Sequence, residues 1–175
     1  MRAVLCGVLV VTCFVGIVSA QSPTSVFLEE LTWPEVWDAV ATGTTTIIVP
    51  TGGTEQNGPH MVLGKHNYLV QYKAGEVARR LGNALVAPVM AYVPEGDVDP
   101  PSGHMRFPGT ITTPPEVFEQ VLEFAARSLR QHGFLDIAFL GDSGGIQSSH
   151  AAVAERLIEE WADSSVRVHH LTDYY

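Results

Sequence analysis

The chain has 175 residues, with 19 acidic against 10 basic side chains and a formal net charge of −9. It has no basic run or patch, the electrostatic footprint of a nucleic-acid-binding protein, so nucleic acid is excluded as an expected partner. The acidic balance favours solubility and attraction of cations, but it specifies no fold.

Residues 1–20 have the pattern of a cleaved export signal: Arg2 at the positive end, an apolar run from Ala3 to Val18, and small residues at Val18-Ser19-Ala20 before Gln21. That run is shorter than the about 20 residues that span a bilayer, so no stable membrane anchor is expected after its removal. The expected location is secreted or periplasmic. Both cysteines, Cys6 and Cys13, fall inside this leader, which leaves the expected domain, residues 21–175, without a disulfide or a cysteine metal site. Export without cysteine suits a bacterial periplasmic or secreted enzyme better than a disulfide-stapled module. The length supports one domain with a substantial core.

Thr32-Trp33-Pro34-Glu35 has the threonine and the later glutamate that cap a helix start reciprocally; Val36, Trp37 and Val40 continue at helical spacing, and Gly43 ends the segment. The apolar run from Thr45 to Pro50 predicts a strand covered on both faces. The polar loop Thr51 to Asn67 follows. Leu69, Val70, Ala74, Val77, Ala78 and Leu81 then mark one side of a helix over 68–81, stopped by Gly82-Asn83. Ala84 to Val89 predicts a second buried strand, and Tyr92 to Pro108 a long loop of the kind that is functional or disordered. Thr113-Pro114-Pro115-Glu116 reads as a second capping box, opening an apolar-faced helix that Gly133 closes. Asp136 to Leu140 predicts a third strand, running into Gly141-Asp142-Ser143-Gly144-Gly145. A helix carrying Ala151 to Trp161 and a fourth strand over 166–171 complete the chain. Strands alternating with helices predict an α/β fold: a mostly parallel sheet with helices on both faces.

Parallel strands would open the loops after Pro50, Val89 and Leu140 on one sheet edge, where α/β proteins bind ligands. That edge gathers Glu55, Asn57, His60 and His66 from the first loop, His104 from the second and Asp142 from the third. Carboxylate and imidazole are ligands for zinc or manganese, and a bound ion acidifies water and polarises a carbonyl, as amide hydrolysis requires. Plainer roles stay open for each: Glu55 as a solvated loop charge, His60 as a brace of loop shape, His66 beside Asn67 as a helix cap, His150 as a helix-surface residue. Gly141 to Gly145 also fits the glycine-x-serine-x-glycine pattern, which leaves a serine hydrolase, with Ser143 as nucleophile and His150 or His104 as base, as a further possibility.

Thr54-Glu55-Gln56-Asn57-Gly58-Pro59-His60-Met61-Val62-Leu63-Gly64 resembles the signature loop of the creatininase family, commonly glutamate-glutamine-histidine-glycine-proline-histidine followed by an aspartate. His104 with Phe107-Pro108-Gly109-Thr110 resembles a second family motif. Gly133-Phe134 and Gly144-Gly145 resemble the surroundings of the family's asparagine-glycine-histidine-glycine-glycine-asparagine loop. The resemblance runs from about Leu31 to Ile158. It implies a three-layer α/β/α sandwich that binds one or two zinc or manganese ions, hydrolyses cyclic or linear non-peptide amide C–N bonds of small molecules, and assembles as a homo-oligomer. Glu55 matches a metal-binding glutamate. Asn57 stands where a ligand histidine is usual, His66 where a bridging aspartate is usual, Ser143 where a ligand histidine is usual, and Ile146 where an asparagine is usual.

An imidazole cannot bridge two ions as a carboxylate does, so the resemblance implies one ion rather than two here. Its expected holders are Glu55, His66 and Asp142, with Asn57 or His60 adding a ligand or an outer hydrogen bond. His60 and His104 are expected to position substrate or move a proton. Family members continue beyond the strand near Leu171, so the domain is expected to be incomplete at its C-terminus. A non-catalytic ligand-binding homologue is the alternative, favoured by the changes at Asn57, His66 and Ser143.

Overall fold

The computed structural model describes residues 24–174. The expected leader lies outside the described residues, and among them no helix is long and apolar enough to cross a membrane. The element order is α1 (Trp33–Ala41), β1 (Thr46–Thr51), α2 (Lys65–Leu81), β2 (Ala84–Val86), α3 (Pro115–Gln131), β3 (Asp136–Gly141), α4 (Gln147–Glu160) and β4 (Arg167–His170).

Among the described residues the four strands are all parallel, in the order β2-β1-β3-β4. Side chains alternate across a strand, and the two halves of that alternation make two cores. Ile47 and Val49 of β1, with Ile137 and Phe139 of β3, face Phe118, Leu122 and Ala126 of α3 and Val153 and Leu157 of α4. Val36 and Val40 of α1 pack against the same cluster. On the opposite side, Ile48 and Leu140 pack against Val70, Ala74 and Ala78 of α2. The result is the expected α/β/α sandwich. Because β1 leads to β2 on one side and the chain returns to β3 on the other, the strand order reverses between β1 and β3. A crevice opens at the carboxyl ends of strands at such a point.

Local signals read from the sequence meet different fates. The first capping box forms: the Thr32 N–H donates to Glu35 Oε2 at 2.8 Å. The second does not, because Pro114 is the N-cap of α3 and the Thr113 hydroxyl donates instead to the Tyr92 carbonyl at 3.4 Å. A proline still occupies the first helical position, but it is Pro115 and not the Pro114 that a Thr113 cap would place there. Helix α2 begins three residues before the expected Tyr68. Asn67 does not cap it. Its Oδ1 accepts from the Gly53 N–H at 2.9 Å, tying the first turn of α2 back to the loop after β1.

Candidate metal centre

Three loops meet over the β1/β3 crevice. Glu55 follows β1 and is 5% exposed. The loop after β2 folds back along it through two isolated bridges, Thr54 with Ile111 and Val93 with Thr112, which carry Glu95 to the same place, also 5% exposed. The Glu95 N–H donates to Thr112 Oγ1 at 2.9 Å, and its carbonyl accepts from the His104 N–H at 3.0 Å, so Glu95 positions His104 through the backbone. Two glycines make the approach possible. A Cβ on Gly53 would lie 2.5 Å from Glu95 Oε1. One on Gly96, whose φ is +127°, would lie 2.3 Å from the Ser102 carbonyl oxygen.

Ligand atoms of Glu55, Glu95 and His104 lie within 4.8 Å of one another. His104 Nε2 is 3.3 Å from Glu55 Oε2, and Glu95 Oε1 is buried with no hydrogen-bond partner. Burial and then the Glu55 carboxylate push the Glu95 carboxyl up to about 9. Two buried carboxyl groups and an imidazole around one point, one oxygen left unpartnered, is a donor set that fits a divalent cation, and the oxygen–nitrogen mixture fits zinc or manganese. The adjoining cavity, about 550 Å³, is lined also by Asn57, Lys65, His66 and Ser143.

The expected ligands are arranged differently from the expectation. Glu55, His66 and Asp142 do converge, but His66 stands between the other two: its Nε2 is 2.8 Å from Glu55 Oε1 and its Nδ1 is 2.9 Å from Asp142 Oδ2. The nitrogens of an imidazole point away from each other, so a ring inserted in this way keeps its two carboxylates from sharing one ion. Asn57 Oδ1 accepts from Lys65 Nζ at 2.7 Å and lies 3.2 Å from His66 Nε2. Asp142 also accepts from the Tyr174 hydroxyl, whose pKa burial and then Asp142 hold above its ordinary value.

His104 joins the cluster as expected in position. His60 does not: it is exposed on the outer part of its loop and does not line the cavity. Glu95 is the residue that sequence reasoning missed. Loop length marked its segment as functional or disordered, but nothing local separates Glu95 from the exposed Asp97 and Asp99; only the bridges to Ile111 and Thr112 do.

His150 is also corrected. It is fully buried rather than on the helix surface, heading the inward stripe of α4 that continues through Val153, Ala154 and Leu157. Its Nε2 lies 2.9 Å from Thr51 Oγ1, and its Nδ1 has no partner. That engagement with Thr51 removes the support for His150 as a base for Ser143.

Comparison with known proteins places these features in context. The family described as "Creatininase: Creatinine amidohydrolase" matches residues 29–174. The chain is 34% identical over 109 residues to the creatinine amidohydrolase of Pseudomonas putida, covering 62% of this chain and 41% of that protein. It is 32% identical over 113 residues to the mycofactocin precursor peptide peptidase of Mycolicibacterium smegmatis, covering 62% and 43%. The chain thus spans less than half the length of these curated relatives. A crystal structure of creatinine amidohydrolase superposes with a TM-score of 0.75 at 26% identity, covering 85% of this chain and 58% of that one. Similar solved creatininases include a manganese form and a variant of the Zn-Zn type.

Proposed function

The chain belongs to the creatininase family, and on that premise we propose that it is a metal-dependent amidohydrolase acting on a cyclic or linear C–N amide bond of a small molecule. The observation that carries the reading is the convergence of Glu55, Glu95 and His104 ligand atoms within 4.8 Å in the lining of a cavity of about 550 Å³. The manganese and Zn-Zn forms among solved relatives support a divalent ion of the same kind. Export through the N-terminal leader and assembly into a homo-oligomer belong to the same proposal.

Glu55, Glu95 and His104 would hold the ion, whose chemistry is to acidify a water and polarise the amide carbonyl. The chain's own groups do the rest. His104 is half exposed, with a 41% accessible side chain at the cavity mouth, where it can meet both substrate and solvent. Its Nδ1 lies 3.1 Å from the Gln56 carbonyl oxygen, which fixes the ring and directs Nε2 toward Glu55. Lys65 brings a positive charge to the cavity wall, where it attracts a polarised or anionic group on the substrate. Asn57 and Ser143 line the same wall and offer polar contacts.

One relative is named for a peptide and another for creatinine, so both bond contexts belong in the test. Purified protein loaded with Zn²⁺ or Mn²⁺ is assayed for ring opening of creatinine and other lactams and for cleavage of short peptides, each read by chromatography of the products. Metal-dependent turnover abolished by Glu55→Ala is expected. A protein that binds no metal, or hydrolyses none of these amides with either ion, overturns the reading. The commitment of His66 and Asn57 to hydrogen bonds with other residues favours a second reading, a non-catalytic ligand-binding homologue. A ligand-induced rise in melting temperature without turnover would distinguish it.

A further inference from the structure

The two oxygens of Glu55 face different neighbours. Oε2 faces His104 Nε2 at 3.3 Å, and Oε1 faces His66 Nε2 at 2.8 Å. A carboxylate that bridges two ions gives one oxygen to each. Here one oxygen faces the candidate ion position, and a ring nitrogen takes the other. The opposite ring nitrogen is taken by Asp142 Oδ2 at 2.9 Å, and Asp142 is held from its far side by the Tyr174 hydroxyl.

Each ring nitrogen of His66 thus already has a carboxylate oxygen within hydrogen-bond distance, Nε2 that of Glu55 and Nδ1 that of Asp142, and the ring fills the space between the two carboxylates. Asn57 is committed in the same way. Lysine has donors and no acceptor, so the Lys65 contact fixes Oδ1 as the amide atom that points inward, and that oxygen faces His66 as well.

We propose that His66 is a positioning residue and not a metal ligand: its ring, bridging Asp142 and Glu55, takes the place of a second ion and makes the centre mononuclear. The ion is held by Glu55, Glu95 and His104 alone. This deepens the metal-dependent reading above and rests on it. The bridge is buried, with His66, Glu55 and Asp142 side chains 8%, 7% and 10% exposed, where an unmade hydrogen bond costs most. It holds Glu55 so that Oε2 is presented to the ion, the role that outer partners play for metal ligands generally. Without the ring, Glu55 and Asp142 would face an emptied space that a divalent ion can fill, and a third carboxylate at position 66 completes a site for it.

The full chain is titrated with Mn²⁺, and bound ions are counted by equilibrium dialysis while the electron paramagnetic resonance spectrum reports whether they are coupled. The wild type is expected to take one ion per chain with an uncoupled spectrum. Folded His66→Asp is expected to take two with an exchange-coupled spectrum. His66→Gln is expected to keep one ion, with affinity weakened about 10–100-fold. Circular dichroism checks that each variant is folded. The wild-type count needs no variant, and two ions there overturn the inference. One ion in both the wild type and folded His66→Asp, or loss of the ion from folded His66→Gln, overturns it while leaving the metal-dependent reading standing. No ion in the wild type, with Mn²⁺ or with Zn²⁺, overturns both.

Discussion

Glu95 and Glu55, carried by loops that follow neighbouring strands, bring their carboxyl groups together in a buried pocket with His104 closing the third side. Like charges so placed are destabilising unless a proton or a cation lies among them, and Glu95 responds by holding its proton to about 9. The pair is thus a device that becomes comfortable when a divalent ion enters.

Glu95→Gln removes the need to hold that proton and keeps the volume. The expected outcome is a metal-free protein that melts higher than the wild type and binds Zn²⁺ at least 10-fold more weakly, since loss even of outer partners costs about 10–100-fold. Calorimetric titration and thermal melts in a chelator check both parts. In the wild type, saturating Zn²⁺ raises the melting temperature, and a chelator reverses it.

Gly53→Ala places a methyl group 2.5 Å from Glu95 Oε1. Glu95 must then move, so metal affinity falls while the sheet is retained. Metal titration alongside far-ultraviolet circular dichroism separates the two effects; unchanged affinity would show that the approach of Gly53 to Glu95 is not what sets the site.

His150 supplies a pH dependence of stability. Burial, and after it the neighbouring His170, push its pKa down to about 3, against about 6.5 in the unfolded chain. Between these values the unfolded state binds more protons, so stability rises with pH there. The contribution is fully present above about 6.5 and is lost as pH falls toward 3, at up to about 1.4 kcal/mol per pH unit. Denaturant unfolding at pH 7 and pH 5 should differ by at most about 2 kcal/mol from this source. His150→Asn, which does not titrate, should flatten that part of the profile.

Phe139 lies on central strand β3 with no exposed surface, and Phe139→Ala should cost about 3–5 kcal/mol by opening a cavity between β3 and the α3/α4 layer. Trp37 is 71% exposed on α1, and Trp37→Ala should change stability by less than about 0.5 kcal/mol. Urea denaturation of the two variants side by side checks the contrast, which residue size alone would not predict.

The four strands and the helices between them were legible because hydrophobic periodicity is written locally: Ile47, Ile48 and Val49 are apolar in succession because both faces of β1 are covered. Thr32 and Glu35 cap their helix as read, since a capping box needs only residues within one turn. Thr113 and Glu116 carry the same pattern and do not, because the Tyr92 carbonyl from another segment claims the threonine hydroxyl.

What the sequence determined by itself was the layered α/β architecture and the sheet edge that carries Glu55. The tertiary structure alone decided which partners meet Glu55. Glu95 became a neighbour through two long-range bridges, His66 was turned between Asp142 and Glu55, His60 was left outside in solvent, and His150 was fully buried against Thr51. Residue type and spacing fix the local dihedral preferences and the side of an element that is buried. The direction of a side chain at a loop junction is set by hydrogen bonds to segments distant in sequence, and no local pattern records those.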